Sequence, residues 1–384
     1  MLEFNFLLNP FEWGLIGLFL ISCVILIRFY LHYYHKISSY ISPLPTTDKK
    51  PISVVLSGKN KHEHIKQNLP FWLEQKYSNF EVIVVYDNTD EELLSLLRLF
   101  SQRYPRLKLI NTNQSINFFD EQKFSLSIGI KSAENDYIIL TTAECRPTNE
   151  YCIDYIQAAF KPETKIVVSY CTYLKGKGIS PSFTHYHLYE KMLQYLSLAI
   201  QNKAYAGSRQ IMAYRKNFFL EHLGYTSVYA IDTGSYDFFY PHITSPKEVS
   251  VQIDWNATVK CNTKYNFKQW LNSEIQFLNT INIQKSPARK AIRWYRAALP
   301  FFYLFFTIGM LYFFFGKQGP IPCFFSLWFW IFALLALLKY LIQAIVMQKI
   351  ATKFQKVYLW IYIPFYEILY LPLHLTFCFH KNKK

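Results

Sequence analysis

The sequence has few cysteines, and they follow no regular arrangement. Its seven cysteines lie at irregular spacing, which matches neither a metal-ligand framework nor a disulfide scaffold. We expect the four in the middle of the chain, Cys145, Cys152, Cys171 and Cys261, to be reduced, small and mostly buried. No sequence period of roughly 20 to 50 residues recurs, which excludes a repeat protein.

Acidic residues are also scarce, with 26 Asp and Glu against 41 Lys and Arg and a formal net charge of +15. A basic balance can indicate a nucleic-acid partner, but the placement of the charges here argues against one. The basic residues crowd beside apolar segments, which is the positive-inside pattern and also attracts anionic lipid headgroups. This places the middle of the chain in the cytoplasm and its N-terminus outside. The clusters are Lys36, Lys49 and Lys50; Lys285, Arg289, Lys290, Arg293 and Arg296; and Lys349, Lys353 and Lys356.

The first apolar segment, residues 13–31, lacks the features of a cleaved signal peptide. The residues before it include Glu3 and Glu12 but no Lys or Arg, and no small-residue cleavage site follows. As a helix this segment spans about 28 Å, enough to cross the hydrocarbon core, and Arg28 near its end can snorkel to the interface. We therefore interpret residues 1–35 as a retained transmembrane anchor, followed by a linker over 36–50.

Three further apolar segments cover residues 299–315, 321–347 and 357–379. The last contains Pro364, Glu367 and Pro372, so we expect it to be broken or interfacial and to return the tail to the cytoplasm. We expect no paired charges inside these segments, which argues against a transporter. The C-terminal membrane region, 299–384, thus comprises two spans plus a third span or interfacial segment, preceded by a basic interfacial segment, 285–298. We expect a multi-pass protein of a bacterial-type inner (plasma) membrane.

Residues 51–284 read as a separate α/β domain. Short apolar strands are predicted over 52–57, 80–86, 107–110 and 137–141, and helices ending near residue 75, over 90–103 and over 120–133. This alternation predicts a mostly parallel, Rossmann-like sheet with helices on both faces. Ligands of such sheets bind at the carboxyl ends of the strands, where polar residues gather here at 57–60, 86–88 and 141–146. The aromatic-rich segment 183–195 fits either an interfacial helix or an amphipathic core helix.

Several motifs in this domain together resemble family-2 glycosyltransferases with a GT-A fold. Residues 51–60 read Pro-Ile-Ser-Val-Val-Leu-Ser-Gly-Lys-Asn, and residues 68–87 run from Asn-Leu-Pro-Phe-Trp to Val-Val-Tyr-Asp. Residues 123–130 are similar to the helix before the family's metal motif, 136–147 to its strand and D-x-D turn, and 205–216 to its acceptor-side segment. The resemblance covers residues 50 to 285 and implies a GT-A domain between transmembrane helices.

The resemblance implies inverting sugar transfer from a UDP- or GDP-type nucleotide sugar to a lipid-linked or glycan acceptor. In the family a divalent metal, Mg²⁺ or Mn²⁺, holds the diphosphate, and a carboxylate acts as general base. Here Glu144 is the implied metal ligand, although a polar turn without metal also fits the residues. Asp237 or Asp232 is the implied base. The implied substrate-binding residues are Asn60, Asp87, Lys123 and Thr142; Lys123 equally fits an ordinary solvated helix lysine.

Three motifs depart from the family pattern. The D-x-D position reads Thr-Ala-Glu at 142–144, and Ser235 stands where the family has its base. The diphosphate motif over residues 267–278 keeps the helix but loses its cations, because Ser-Glu-Ile-Gln-Phe at 273–277 replaces the Gln- and Arg-bearing run that the resemblance implies. These losses leave two functions open: a membrane-bound glycosyltransferase, or a catalytically impaired pseudo-glycosyltransferase that acts as a scaffold and binds protein partners in an envelope glycan or assembly complex.

Overall fold

The protein divides into two compact units, Met1–Ser39 with Pro287–Lys384, and Tyr40–Ser286. The computed structural model describes residues 8–57, 62–86, 91–112, 121–174, 176, 178–225, 245–262, 266–283, 287–315, 327–354 and 361–379. We refer to the first unit as the helical unit and to the second as the α/β unit.

The α/β unit contains ten strands among its described residues. They are β1 (Ile52–Ser57), β2 (Phe80–Tyr86), β3 (Leu107–Asn111), β4 (Tyr137–Thr142), β5 (Cys145–Pro147), β6 (Ile166–Val168), β7 (Cys171–Tyr173), β8 (Ile211–Arg215), β9 (Val249–Val251) and β10 (Val259–Cys261).

The described residues of the two units form α-helices that are labelled here in chain order. They are α1 (Pro10–Phe29), α2 (His35–Ser39), α3 (His62–Leu73), α4 (Glu91–Arg103), α5 (Glu121–Ser132), α6 (Cys152–Ala158), α7 (Ile179–Ile200), α8 (Lys216–Glu221), α9 (Phe267–Ile283), α10 (Pro287–Phe315), α11 (Leu327–Lys353) and α12 (Ile363–Phe379).

A seven-stranded mixed sheet in the order β3-β2-β1-β4-β8-β6-β9 forms the centre of the α/β unit. The pairs β3-β2, β2-β1 and β1-β4 are parallel, and β8 runs antiparallel to β4 and to β6. The prediction of four parallel strands joined by helices is confirmed. The strands β1 and β2 are buried on both faces, as expected of parallel strands rich in Val and Ile.

Helix α5 lies close to the sheet because it carries glycine where a side chain would collide. A Cβ atom on Gly129 would lie 2.5 Å from Val55 Cγ1 and 2.9 Å from Val85 Cγ2. Both valines belong to central parallel strands, so this glycine sets the distance between α5 and the sheet. The same helix leads through residues 133–136 into β4, so its first turn lies at the carboxyl edge of the strands.

A hydrogen-bonded cluster around Glu81 connects the strands at the opposite, amino edge. The carboxylate accepts bonds from Ser53 Oγ at 2.5 Å and from the Glu134 amide at 2.8 Å, and it pairs with Lys108 Nζ at 2.7 Å. Burial opposes ionisation, but these bonds prevail and hold the pKa of Glu81 below its ordinary value. The cluster therefore stabilises the charged carboxylate at the edge remote from the predicted site.

Helix α7 is a core helix of the α/β unit. Phe183 packs edge-on against Trp270 of α9 with ring centroids 5.2 Å apart, and Tyr195 donates a hydrogen bond to the carbonyl of Ser169 at 3.1 Å. Most side chains between Phe183 and Ala199 are buried. Of the two readings of segment 183–195, the structure supports the amphipathic core helix.

The helical unit contains three described helices that are long and apolar enough to cross a membrane: Pro10–Ser39, Ala288–Phe314 and Leu327–Lys353. The first begins with a capping box in which Asn9 Oδ1 accepts from the Glu12 amide and Glu12 accepts from the Asn9 amide, each at 2.8 Å. The shorter apolar helix Ile363–Leu373 lies within α12.

The helical unit also contains a buried polar cluster around Glu367. Lys339 Nζ of α11 lies 2.7 Å from Glu367 Oε2, and Tyr303 and Gln343 donate to the same carboxylate at 2.8 and 2.6 Å. The expectation of no paired charges in the apolar segments is wrong. The residues are far apart in sequence, so their spacing did not indicate that the helices bring them together.

Candidate active site

The carboxyl ends of the parallel strands form one continuous polar edge. Ser57 at the end of β1 is the register partner of both Val85 and Thr142, and Tyr86 is the partner of Asn111. The chain beyond β3 is held to this edge, since the amide and hydroxyl of Thr112 donate to the Tyr86 carbonyl at 2.8 and 3.1 Å. The edge predicted from sequence as the ligand site is therefore assembled by the sheet.

Glu144 lies at the centre of this edge, on a turn between β4 and β5 that is fixed by three hydrogen bonds. The carbonyl of Ala143 accepts from Asn68 Nδ2 at 2.8 Å, and that of Glu144 from the Asn262 amide at 3.0 Å. The carbonyl of Cys145 accepts from Trp72 Nε1 at 3.0 Å. Three successive carbonyls are thus held by residues distant in sequence, which gives the half-buried Glu144 a fixed backbone position.

Thr142, the first residue of the Thr-Ala-Glu turn, directs its hydroxyl to a cysteine. Its Oγ1 lies 3.2 Å from Cys145 Sγ and donates to it. Burial raises the pKa of the Cys145 thiol well above its ordinary value, so the sulfur is a neutral thiol. The neighbouring Thr141 donates to the Gln210 carbonyl at 2.9 Å, which brings the predicted acceptor-side segment 205–216 beside this turn.

Lys123 lies in the first turn of α5, which the sheet connection places at the same edge. Only 4% of the residue is exposed, so it is not the solvated helix lysine that the sequence also allowed. A buried ammonium requires polar or anionic partners. Its location fits the predicted substrate-binding role, which stays a prediction.

Helix α9 has an acidic residue in the position of the missing cations. Glu274 is 5% exposed, and its Oε2 lies 3.8 Å from Lys191 Nζ of α7. Nearby, His187 Nδ1 lies 3.3 Å from Glu190 Oε2. Lys191 therefore places a positive charge beside the part of α9 where the resemblance implies arginines. Sequence reasoning missed this lysine because α7 precedes α9 by a long interval, and only packing pairs them.

Four predicted residues, Asn60, Asp87, Asp232 and Asp237, lie outside the described residues. The structure places Thr142 and Glu144 where β4 ends and Lys123 in the first turn of α5, at the same edge of the sheet. It also shows residues that the sequence reading did not single out: Asn68, Trp72 and Asn262. Asn68 and Trp72 belong to the stretch from which the family resemblance was read, and that resemblance was the available signal for them.

The described residues offer few ligands to the divalent metal that the resemblance implies. Glu144 supplies one carboxylate on a fixed turn, and Mg²⁺ or Mn²⁺ sites often use one or two carboxylates with phosphate oxygens completing the shell. In the described part of the chain no group of three acidic, histidine or cysteine ligands converges at Glu144. The donor set fits a cation that is bound largely by a nucleotide diphosphate.

Comparison with known proteins identifies the domain. Residues 53–223 match the family model described as Glycosyl transferase family 2. They form a family 2 glycosyltransferase domain. The matched stretch includes the parallel strands β1 to β4, the Glu144 turn and β8, so the family match and the polar edge coincide.

The fold agrees with this assignment. The α/β unit has the mostly parallel mixed sheet of a GT-A domain. The mannosyltransferase PcManGT from Pyrobaculum calidifontis, solved with GDP-Man and Mn²⁺, superposes with a TM-score of 0.56 at 14% identity, covering 93% of this chain and 97% of that one. A relative from Haemophilus influenzae, described as an uncharacterized glycosyltransferase, is 27% identical over 93 residues, or 24% of this chain and 28% of that protein. That match spans little more than a quarter of the relative's length.

Proposed function

We propose that the family 2 glycosyltransferase domain transfers a sugar from a UDP- or GDP-type nucleotide sugar to a lipid-linked or glycan acceptor beside a membrane. The observation that carries this proposal is the fixed backbone of the Glu144 turn at the carboxyl edge of the parallel strands. A turn held by three hydrogen bonds fits a role in positioning a ligand, because each bond restricts the backbone from which the Glu144 side chain extends.

Each of the residues predicted from the sequence has a role in this proposal. Glu144 would hold Mg²⁺ or Mn²⁺, which when bound neutralises charge on the departing diphosphate. Asp87 and Asn60 bind the nucleotide, and the buried ammonium of Lys123 adds positive charge near the phosphates. Asp237 or Asp232 accepts the proton of the acceptor hydroxyl.

The helical unit suits an acceptor at a membrane. Three described helices are long enough to span the bilayer, and the basic residues beside the apolar segments favour a cytoplasmic α/β unit. We propose a multi-pass protein of a bacterial-type inner membrane, with its domain facing the cytoplasmic supply of nucleotide sugars. The variant Ser182→Cys tests this orientation with a thiol label that cannot cross the membrane. Labelling of that cysteine in intact cells would show that the α/β unit lies outside.

Nucleotide release tests the proposed transfer. The full chain in native membranes is incubated with GDP-mannose and UDP-sugars, with and without Mn²⁺, and free nucleoside diphosphate is measured. Transfer predicts metal-dependent release that Glu144→Ala lowers by about 100-fold or more. The exposed Glu163→Gln variant is the matched control and should retain full activity. Equal release by Glu144→Ala and by the unaltered chain would remove Glu144 from the mechanism.

The alternative function is a pseudo-glycosyltransferase that acts as a scaffold. Two observations favour it: the Thr142 hydroxyl is directed to a cysteine sulfur, and Glu274 occupies the helix that has lost its arginines. Restoring a carboxylate with Thr142→Asp separates the two functions. If the variant releases nucleotide and the unaltered chain does not, while Glu144→Ala leaves the cellular phenotype unchanged, the scaffold function is supported. Metal-dependent release by the unaltered chain excludes it.

A further inference from the structure

Three buried cysteines converge in the small three-stranded sheet of the α/β unit. This sheet has the order β5-β10-β7, and each strand contributes one cysteine: Cys145, Cys261 and Cys171. Their sulfur atoms all lie within 4.8 Å of one another. The residues are 0%, 0% and 4% exposed, so the group is enclosed on all sides by protein.

This spacing is close to what three sulfur ligands of one metal ion require. At a metal–sulfur distance of about 2.3 Å, tetrahedral or trigonal geometry separates the sulfurs by about 3.8 to 4.0 Å. The three sulfurs therefore need to approach by no more than about 1 Å. All three are also on strands that hydrogen-bond to one another, with Cys145 the register partner of Cys261 and Cys171 the partner of Val259, so their positions are fixed before any ion binds.

The other described cysteines do not share this arrangement. Cys152 is fully buried, yet its sulfur contacts the Thr258 carbonyl at 3.9 Å and is outside the group. Cys23 lies in the helical unit. Single buried cysteines commonly act as small apolar residues, whereas three thiols from three strands meeting at one point supply a ligand set for a soft cation. The Thr142 hydroxyl, 3.2 Å from Cys145 Sγ, adds an oxygen beside the group.

We propose that Cys145, Cys171 and Cys261 bind one thiophilic divalent cation of the zinc class through their three sulfurs. On binding, the three S–H bonds break, three sulfur–metal bonds form, and the protons pass to water, so that a divalent ion and three thiolates give a complex of charge −1. This site is distinct from the oxygen-ligand site at Glu144, because Mg²⁺ and Mn²⁺ prefer carboxylate and phosphate oxygens.

The bound ion would brace the turn that carries Glu144. Cys145 follows Glu144 directly, and its carbonyl accepts from Trp72. A metal joining Cys145 to β10 and β7 adds a cross-link at the end of the turn, beyond the hydrogen bonds of Asn68 and Asn262. The ion therefore has a structural role, and the inference does not depend on whether the domain transfers sugar.

Metal content of the purified full chain tests the proposal. The protein is expressed with added Zn²⁺, purified in detergent under reducing conditions, dialysed against a weak chelator and then denatured, and released zinc is measured. We expect about one zinc per chain, and less than a tenth of that from Cys171→Ala or Cys261→Ala. Cys152→Ala, a fully buried cysteine outside the group, is the matched control and should release as much as the unaltered chain.

A second measurement does not depend on the variants folding. Reduced, unaltered protein expressed with Cd²⁺ in place of Zn²⁺ should show a sulfur-to-metal charge-transfer absorption in the ultraviolet, with one cadmium per chain. The proposal is overturned if the unaltered chain holds neither metal, or if Cys152→Ala removes the metal as fully as Cys171→Ala does. A disulfide between Cys145 and Cys261 in protein isolated from cells with a reducing cytoplasm would also overturn it.

Discussion

Lys339 Nζ and Glu367 Oε2 lie 2.7 Å apart, with side chains 0% and 2% exposed. The pair joins α11 to α12, and the carboxylate also accepts hydrogen bonds from Tyr303, Gln343 and Tyr30. Charged residues in apolar helices are costly unless they are paired. The contact therefore explains how an acidic residue is accommodated in the last apolar helix.

Breaking this ion pair should destabilise the helical unit. Lys339→Met or Glu367→Ala each leaves one charge buried without its partner, which costs about 3 to 5 kcal/mol. Thermal unfolding in detergent measures the loss. The double variant Lys339→Met/Glu367→Gln should cost less than either single variant, because no buried charge remains.

The matched control is Lys349→Met, an exposed lysine on the same helix. It should leave the unfolding temperature nearly unchanged. If Lys339→Met is equally mild, the pair does not stabilise α12.

Gly129 should not tolerate a side chain. In Gly129→Ala the new Cβ lies 2.5 Å from Val55 Cγ1, so α5 must move from the sheet or the valines must shift, at a cost of about 1 to 3 kcal/mol. Chemical unfolding should show this loss. Gly14→Ala meets no atom within 4 Å and serves as control; a stable Gly129→Ala protein would mean that α5 is not closely packed.

Glu81 should make the stability of the α/β unit depend on pH. Its folded-state pKa is lowered from the ordinary value of 4.5, so its contribution is fully present above about pH 4.5 and is lost as the pH falls through the folded-state pKa. Unfolding of the unaltered chain should become easier in this acidic window. In Glu81→Gln that part of the pH dependence should disappear; an unchanged acid profile would show that the cluster does not favour the charged form.

Asn68 should position the Glu144 turn. Asn68→Ala removes the hydrogen bond to the Ala143 carbonyl and the one from Asn262, which should cost about 1 to 3 kcal/mol of stability. It should also weaken metal-dependent nucleotide binding, because the backbone that carries Glu144 loses one of its restraints. Asn149→Ala, which removes a side-chain bond to Asn256 elsewhere in the domain, should leave nucleotide binding unchanged. Equal binding by both variants would mean that the turn does not need Asn68.

The strands that the sequence predicted well are those whose signal is local. Residues 52–57 and 80–86 are short segments rich in Val and Ile, and the structure has strands with the same bounds. Strands of three residues, such as β6 and β9, are too short to show a period. The pairing of β6 with β8, and of β9 with β6, depends on contacts between distant parts of the chain.

The sequence predicted where the candidate site lies but not the contacts that hold it. Glu144 and Thr142 follow a recognisable strand, so their edge of the sheet could be predicted. The hydrogen bonds from Asn68, Trp72 and Asn262, the pairing of Lys191 with Glu274, and the meeting of three cysteines arise from tertiary packing. Neither residue spacing nor local pattern encodes such contacts.

Calorimetry with nucleotide sugars tests the central claim most directly. The full chain in detergent is titrated with GDP-mannose and with UDP-sugars, with and without Mn²⁺. The Glu144 turn predicts that one of these donors binds in the presence of Mn²⁺, that Glu144→Ala weakens this binding at least about 10-fold, and that Glu163→Gln does not. Absence of binding to every donor, or equal binding by Glu144→Ala, would contradict a nucleotide-sugar site at this turn.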